Sequence, residues 1–396
     1  MPFHCTMIVV WVILGRNGEV VFITPLFFLG LILFLCRKRI EEHKILNGYS
    51  QPTIQGKGLK NIRYSVGIHN QQYKWPQKDM TTELLKLPIV DLSSPDRSST
   101  AATILQACTE HGFFYLVNHG VEKELLQKVF NESKKLFSLP LEEKMKLGRK
   151  DHRGYSPLFA ESLDPDLVPK GDPKESYYIG PLEEDSTPVK LNKWPSQETL
   201  PSWRPTMETF YRKLMCAGKR LLRLIAFALK LEETFFEIVG GLNKPTAFLR
   251  LLRYPGELGS SDEDICGASA HSDYGMITLL ATDGVQGLQI CREKFKQPQV
   301  WEDVLHLDGA LVINIGDMME RWTNCLFRST LHRVIPVGQE RYSAAFFLDP
   351  KQDCLVECLE SCCSEYSPAR FSPILSGDYL KERLRLTYRS SFESIS

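Results

Sequence analysis

Apolar and polar residues follow two different periods along the chain, and the change of period divides its folded part. Between residues 87 and 240, most apolar residues recur at helical spacing, with a few short β-branched or aromatic runs between them. After residue 245 the pattern changes to short runs that are apolar or alternating, separated by Gly, Pro and Asp. The sequence therefore predicts mainly helices first, and then a sandwich or barrel of antiparallel sheets.

The predicted elements follow from these periods. Residues 150–200 are rich in Pro, Gly, Asp and Glu, and are expected to form long loops around Glu175-Ser-Tyr-Tyr-Ile179. Helices are predicted for residues 100–111, 122–136, 206–239 and 379–388, the third of them ending at Gly240-Gly241. Strands are predicted for residues 87–92, 112–117, 246–254, 276–282, 287–291, 310–315, 333–337 and 343–348.

The first 40 residues form an apolar extension that differs from the rest. Residues 20–36 are an apolar run of about 17 residues, at the lower limit for a bilayer core of roughly 30 Å. Arg37-Lys-Arg39 follows at once and would hold the following chain on the cytoplasmic side. Two interpretations stay open: a membrane anchor through residues 20–36, or a non-native or disordered extension. Residues 41–86 show no clear period and are expected to be a linker.

Composition narrows the function only slightly. Hydrophobic residues make up 43% of the 396 residues and charged residues 24%, as in a globular protein of one large domain or two ordinary ones. The 48 basic residues balance the 48 acidic ones, so nothing indicates a nucleic-acid partner. The eleven cysteines are scattered, which favours free thiols in a reducing compartment.

Candidate metal ligands lie at His271, Asp273 and His332. His271 and Asp273 are two residues apart beside a predicted strand, so an extended backbone would turn both side chains to one face. His332 begins another predicted strand, and antiparallel pairing can return such a distant residue to the first two. Two imidazoles and one carboxylate suit a ferrous ion that must also bind a cosubstrate and oxygen.

A candidate carboxylate site follows in Arg341-Tyr-Ser343, just before an apolar strand. Arg341 and Ser343 would share one strand face. A guanidinium binds a carboxylate through two hydrogen bonds, and a hydroxyl adds one more donor. Alone, this pair could equally be a solvent-facing strand arginine and its neighbour.

An ordered series of motifs resembles one known family. From about Leu87 to about Tyr388, the chain resembles the isopenicillin-N-synthase-like branch of iron(II)- and 2-oxoglutarate-dependent dioxygenases. The motifs that carry the resemblance are Leu87-Pro-Ile-Val-Asp91, Gly112-Phe-Phe114, Val117-Asn-His-Gly-Val121, Ala270-His-Ser-Asp-Tyr-Gly275, Asn314-Ile-Gly-Asp317, Trp322-Thr-Asn324, His332-Arg-Val334 and Arg341-Tyr-Ser343.

The resemblance implies a mainly β fold with flanking helices around a double-stranded β-helix, or jelly roll. It implies iron held by His271, Asp273 and His332, which are the candidate ligands above. The far carboxylate of 2-oxoglutarate would meet Arg341 and Ser343, with the Tyr254 hydroxyl as a third contact. The family often has an asparagine two positions before this tyrosine, where this chain has Leu252.

The implied reaction consumes O2 and 2-oxoglutarate, with ascorbate as a candidate reductant, and releases succinate and CO2. A small organic substrate would be hydroxylated or desaturated by a monomer. Residues 87–240 would be the N-terminal region, 245–350 the jelly-roll core, and 351–396 a segment packing on that core. The alternatives are the same fold using ascorbate or substrate electrons without 2-oxoglutarate, a metal hydrolase, and a non-catalytic binding protein.

Overall fold

The computed structural model describes residues 85–163, 170–182, 191–242, 244–256 and 266–387, and the backbone of 12–14 and 20–22. The chain divides into two compact units, Met1–Asp79 and Met80–Ser396. In the first unit, strands β1 (Val12–Leu14) and β2 (Val20–Phe22) form an antiparallel pair. Apart from β2, the predicted anchor at residues 20–36 lies outside the described residues. None of the helices in the described part of the chain has the length and apolarity needed to cross a membrane.

An eight-stranded sheet is the largest element of the second unit. Its strands are β3 (Ile89–Asp91), β4 (Phe113–Val117), β5 (Gly154–Ser156), β6 (Glu175–Ile179), β7 (Thr246–Tyr254), β9 (Ile277–Thr282), β12 (Leu311–Ile315) and β14 (Arg341–Asp349). Their order in the sheet is β3-β4-β12-β9-β14-β7-β6-β5. The pairing of β3 with β4 is parallel, and the other pairs of this sheet are antiparallel.

A four-stranded sheet faces the inner side of the larger one. It consists of β8 (Ala268–His271), β10 (Leu288–Cys291), β11 (Glu302–Asp303) and β13 (Leu331–Val334), in the order β11-β10-β13-β8. A separate short ladder pairs β15 (Leu355–Val356) with β16 (Ile374–Leu375). The predicted fold class, a mainly β jelly roll with flanking helices, is confirmed.

Alternation along the strands creates two cores. In β7, Leu249 and Leu251 belong to a cluster shared with the long helix of the outer layer, whereas Leu252 and Tyr254 belong to a second cluster between the sheets. The two faces of a strand bear alternate residues, so each central strand contributes to both clusters. The inner cluster includes members of the smaller sheet, such as Ile290, which places it between the two sheets.

The helices pack outside the larger sheet or at its ends. One of them departs from the prediction: residues 206–239 form two helices, because Lys230 has a φ of 60°, in the left-handed region that ends a right-handed helix. The helices are α1 (Arg97–Glu110), α2 (Lys123–Phe137), α3 (Leu141–Lys146), α4 (Trp203–Ala228), α5 (Phe235–Ile238), α6 (Asp317–Trp322) and α7 (Ser376–Thr387).

The range 150–200, predicted as long loops around Glu175-Ser-Tyr-Tyr-Ile179, contains two strands. The central segment is β6, and β5 lies in a part that was predicted as loop. All five residues of β6 are buried, and the strand pairs with β7 beside the site described next.

Candidate active site

Antiparallel pairing joins the three candidate metal ligands. His271 ends β8 and lies directly opposite His332 on β13, and Asp273 follows two residues after β8. Asp273 Oδ1 lies 3.8 Å from His271 Nε2 and 3.7 Å from His332 Nε2. One ligand atom from each residue falls within 4.8 Å of the others. The structure therefore brings together the three residues that the sequence singled out.

Backbone carbonyls fix the orientation of both imidazoles. Nδ1 of His271 donates to the carbonyl oxygen of Ser269 at 2.7 Å, and Nδ1 of His332 donates to that of Thr330 at 3.2 Å. With the proton on Nδ1, each Nε2 keeps a lone pair for a metal. Burial, reinforced by the neighbouring His332, lowers the pKa of His271 to about 4, so this imidazole is neutral at neutral pH.

Two side chains fix the carboxylate of Asp273. Its Oδ2 accepts hydrogen bonds from Thr278 Oγ1 at 2.5 Å and from Asn314 Nδ2 at 2.7 Å. Oδ1 is then left on the side of the imidazoles. Burial acts to raise the pKa of Asp273, but the two histidines and these two hydrogen bonds outweigh it, and the net shift is downward. Two imidazole nitrogens and one carboxylate oxygen, each held in place by hydrogen bonds to its own residue, fit a ferrous ion.

A cavity of about 70 Å³ extends from these ligands between the two sheets. Arg341, Ser343 and Tyr254 line it, and all three are buried. Arg341 is 2% exposed; its Nε donates to the carbonyl oxygen of Val285 at 3.3 Å, and its Nη1 has no partner among the described residues. A buried guanidinium nitrogen without a hydrogen-bond partner is unfavourable, so this cavity is suited to a carboxylate ligand.

Leu252, the position where the family often has an asparagine, lies on the wall of this cavity. Leu252 lies opposite Ser343 in the β7–β14 pair and lines the cavity, and Tyr254 lies opposite Arg341 with the guanidinium 5.1 Å from its ring centroid. An apolar side chain therefore stands at the position where the family often has an asparagine.

A second cavity, of about 330 Å³, is also lined by His271 and Asp273. This volume is within the range of about 300–1,000 Å³ that is usual for small-molecule sites. Part of its wall comes from the C-terminal helix α7, through Leu380 and Leu384. His271 and Asp273 line both cavities, so the candidate metal site lies where they meet.

The sequence analysis missed a network of buried charges beside His271. Asp172 accepts hydrogen bonds from Ser269 Oγ at 2.6 Å and from the Lys174 ammonium, and Ser269 in turn accepts from His271. Glu161 lies 3.2 Å from Lys174 and also pairs with Arg250. The sequence feature that could have revealed this network is Lys174-Glu175 at the start of an aromatic strand. Charged residues that begin a buried strand need partners of opposite charge.

The roles of Thr278 and Asn314 were also missed, although Asn314 lies within a quoted motif. Both residues are on the inner face of the larger sheet, at alternate positions from inward-facing Leu280 and Val312. Side chains along β9 and β12 alternate between the two faces of the sheet, and this alternation could have identified both residues from the sequence.

A double-stranded β-helix that brings two imidazoles and one carboxylate to one point is the architecture of a non-haem iron(II) oxygenase. The model of the 2OG-Fe(II) oxygenase superfamily matches residues 245–350, and the model described as the N-terminal domain of non-haem dioxygenases in morphine synthesis matches residues 87–197. The chain belongs to the 2OG-Fe(II) oxygenase superfamily.

Curated relatives cover most of the chain. It is 41% identical to kihadalactone A synthase LFS from Citrus sinensis over 309 residues, which are 76% of this chain and 91% of the relative. It is 38% identical to azadirone synthase LFS from Melia azedarach over 307 residues, 75% and 91% of the two chains.

Solved structures show the same architecture. A full-length Neurospora crassa protein in complex with alpha-KG superposes with a TM-score of 0.68 at 30% identity, over 77% of this chain and 97% of the Neurospora chain. JOX2 in complex with 2OG, Fe and JA superposes with a TM-score of 0.65 at 28% identity, over 77% and 86%. The protein is thus a non-haem iron(II) dioxygenase that uses 2-oxoglutarate and O2, and the predicted reaction class and cofactors are confirmed.

Proposed function

We propose that His271, Asp273 and His332 hold the iron(II), and that Arg341, Ser343 and Tyr254 bind the far carboxylate of 2-oxoglutarate. A small organic substrate in the 330 Å³ cavity is hydroxylated or desaturated, with release of succinate and CO2. The observation that carries this proposal is the meeting of the two cavities at His271 and Asp273. Cosubstrate and substrate would thereby reach the same metal from two adjoining cavities.

Iron(II), when bound, supplies the activation of O2 that couples oxidation of 2-oxoglutarate to oxidation of the substrate. The chain's own residues bind and orient the reactants, and they exclude water. Ser269 and Thr330 hold the two imidazoles through their carbonyl oxygens, and Thr278 and Asn314 hold the carboxylate of Asp273. Such partners keep the ligand atoms in place without further ordering when the metal binds.

Arg341 gives the cosubstrate cavity its charge selectivity. The guanidinium has an unpaired Nη1 and is 2% exposed, so a carboxylate bound there would be shielded from water. The Ser343 hydroxyl adds a donor from the same strand face. Leu252, opposite Ser343, adds only apolar surface, which leaves the carboxylate to the charged and hydroxyl groups.

The remaining assignments are proposals of the same kind. Residues 245–350 would carry the ligands and the clamp, 87–240 would pack around them, and 351–396 would complete the substrate cavity. The expectation of a monomer is retained. The balanced charge supports a small-molecule partner without nucleic acid, and we retain a cytoplasmic location for the catalytic unit.

Metal binding and 2-oxoglutarate consumption test this proposal. We expect His271→Ala and Asp273→Ala to lose iron(II) binding and iron-dependent succinate release from 2-oxoglutarate, measured with and without ascorbate. His306→Ala, which changes an exposed histidine, is the matched control and should keep both. Succinate release at the wild-type rate in either ligand variant would contradict the proposal. Oxygen uptake that needs ascorbate but not 2-oxoglutarate would instead favour the alternative electron source.

A further inference from the structure

Asp349, the last residue of β14, is a buried polar residue on the wall of the 330 Å³ cavity. It is 6% exposed, and its Oδ1 has no hydrogen-bond partner among the described residues. The backbone N–H of Met276 donates one hydrogen bond to the carboxyl group. Buried carboxyl groups usually have all their oxygens paired, because an unpaired one is unfavourable. Asp349 therefore retains a hydrogen-bonding capacity that no described side chain uses.

Gly275 provides the space for this carboxyl group. A Cβ at position 275 would lie 1.4 Å from Asp349 Oδ1, so any other residue there would displace it. Gly275 follows Asp273 in the segment after β8, and all three residues line the same cavity. The Asp349 carboxyl group thus lies beside the segment that carries a candidate iron ligand.

The rest of the cavity wall is largely apolar and would enclose an apolar ligand body. Aromatic and aliphatic side chains come from both strands of the β7–β14 pair, from the segment before β6 and from α7. These side chains are Leu163, Phe248, Phe347, Leu380 and Leu384.

The cations on the wall already have partners. Arg250 pairs with Glu161, and Arg149 Nη2 lies 2.9 Å from His152 Nδ1. The Lys381 side chain is 80% exposed and belongs to the outer rim. An anionic ligand would have to displace Glu161 from Arg250 and would also meet Asp349. The wall therefore favours a ligand without charge.

The acid–base state of Asp349 narrows the ligand group further. In the metal-free protein, burial together with the negative charge of Asp273 raises the pKa of Asp349 to about 7. A hydroxyl group can donate to the carboxylate form and accept from the protonated form. A ketone can only accept, so it would lose its hydrogen bond when Asp349 ionises.

We propose that Asp349 binds a hydroxyl group of a neutral, otherwise apolar substrate, and so selects alcohols within the 330 Å³ cavity. This inference rests on the proposed function, because it assigns the substrate class of the same site. It concerns binding alone and needs no turnover.

The test uses cyclohexanol, cyclohexanone and cyclohexanecarboxylate, which share one ring and differ in the polar group. The full-length protein carries 2-oxoglutarate and manganese(II) in place of iron(II). Paramagnetic relaxation of the probe protons then reports both affinity and proximity to the metal. Asp349→Leu removes the hydrogen-bonding group, and Asp349→Asn keeps one. Asp353→Asn is the control, because Asp353 is exposed, pairs with Lys351 and lies outside the cavity.

Cyclohexanol is expected to bind wild type most tightly, and to bind Asp349→Leu about 10-fold or more weakly, as for loss of a hydrogen bond to a charged group. Asp349→Asn should weaken cyclohexanol binding by less than about 3-fold, and Asp353→Asn should leave it unchanged. The binding of cyclohexanone should be less sensitive to Asp349→Leu than that of cyclohexanol. Three results would each overturn the inference. Cyclohexanol could bind wild type and Asp349→Leu with equal affinity, or wild type could prefer one of the other two probes. Cyclohexanol could also fail to bind up to its solubility limit. Failure of the metal or 2-oxoglutarate to bind would instead contradict the proposed function, so the two failures are distinguishable.

Discussion

Arg341 and Asp349 are the first and last residues of β14, and their side chains lie on the same face of this nine-residue strand. Each has a buried polar atom without a partner among the described residues, Nη1 in one and Oδ1 in the other. Arg341 lines the smaller cavity and Asp349 the larger, while His271 and Asp273 line both. Strand β14 thus carries one unpaired polar side-chain atom at each of its two ends, and each of these two residues lines a cavity of the candidate site.

Replacement of Arg341 tests the carboxylate clamp. We expect Arg341→Lys to weaken 2-oxoglutarate binding by about 10- to 100-fold, because the ammonium cannot reproduce the paired hydrogen bonds of a guanidinium. Calorimetric titration of the manganese-loaded protein measures this affinity. Arg333→Lys is the control: Arg333 contacts Gln289 and Trp301 and lines neither cavity. Unchanged affinity in Arg341→Lys would contradict the clamp.

Removal of the hydrogen bonds to Asp273 should weaken metal binding. In Thr278→Val and Asn314→Leu, the Asp273 carboxylate loses one donor, and we expect iron(II) affinity to fall by about 10- to 100-fold in each. Competition with a chelator measures the affinity under nitrogen. Thr103→Val removes a hydroxyl that bonds only the backbone of its own helix and is the matched control. Wild-type affinity in both site variants would show that Asp273 is held by other means.

Asp349 should make stability depend on pH in the metal-free protein. Its folded pKa, about 7, lies above the unfolded value of 3.8, so the folded state keeps a proton that the unfolded state releases. The contribution of Asp349 is complete below the unfolded pKa and declines by about 1.4 kcal/mol per pH unit until the folded pKa is reached. Asp349→Asn should therefore gain stability relative to wild type over this window in urea unfolding. A constant difference between the two proteins would contradict this prediction.

The buried pair of Asp172 and Lys174 should behave as one unit. Asp172→Asn leaves the Lys174 ammonium with only part of its counter-charge, and we expect the free energy of unfolding to fall by about 3–5 kcal/mol. The double variant Asp172→Asn, Lys174→Met should recover much of this loss, because both charges are absent. Additive losses in the double variant, measured by denaturant unfolding, would show that the two residues act independently.

Local patterns predicted several strands of the larger sheet well, such as β7, whose bounds match. They were less accurate where a distant contact decides the structure. The strand predicted at residues 333–337 is instead β13, Leu331–Val334, because its register is set by pairing with β8 and β10. The long helix predicted at 206–239 ends at Ala228, since one left-handed residue, Lys230, interrupts it.

The sequence by itself determined the candidate donor set and the family resemblance, because the types and order of His271, Asp273, His332 and Arg341 are properties of the chain. Only the tertiary structure decided what surrounds them. Thr278 and Asn314 reach Asp273 from separate strands, Asp172 reaches Ser269, and Asp349 meets Gly275 across two elements. These contacts depend on strand register and close packing between residues far apart in sequence, which no local period encodes.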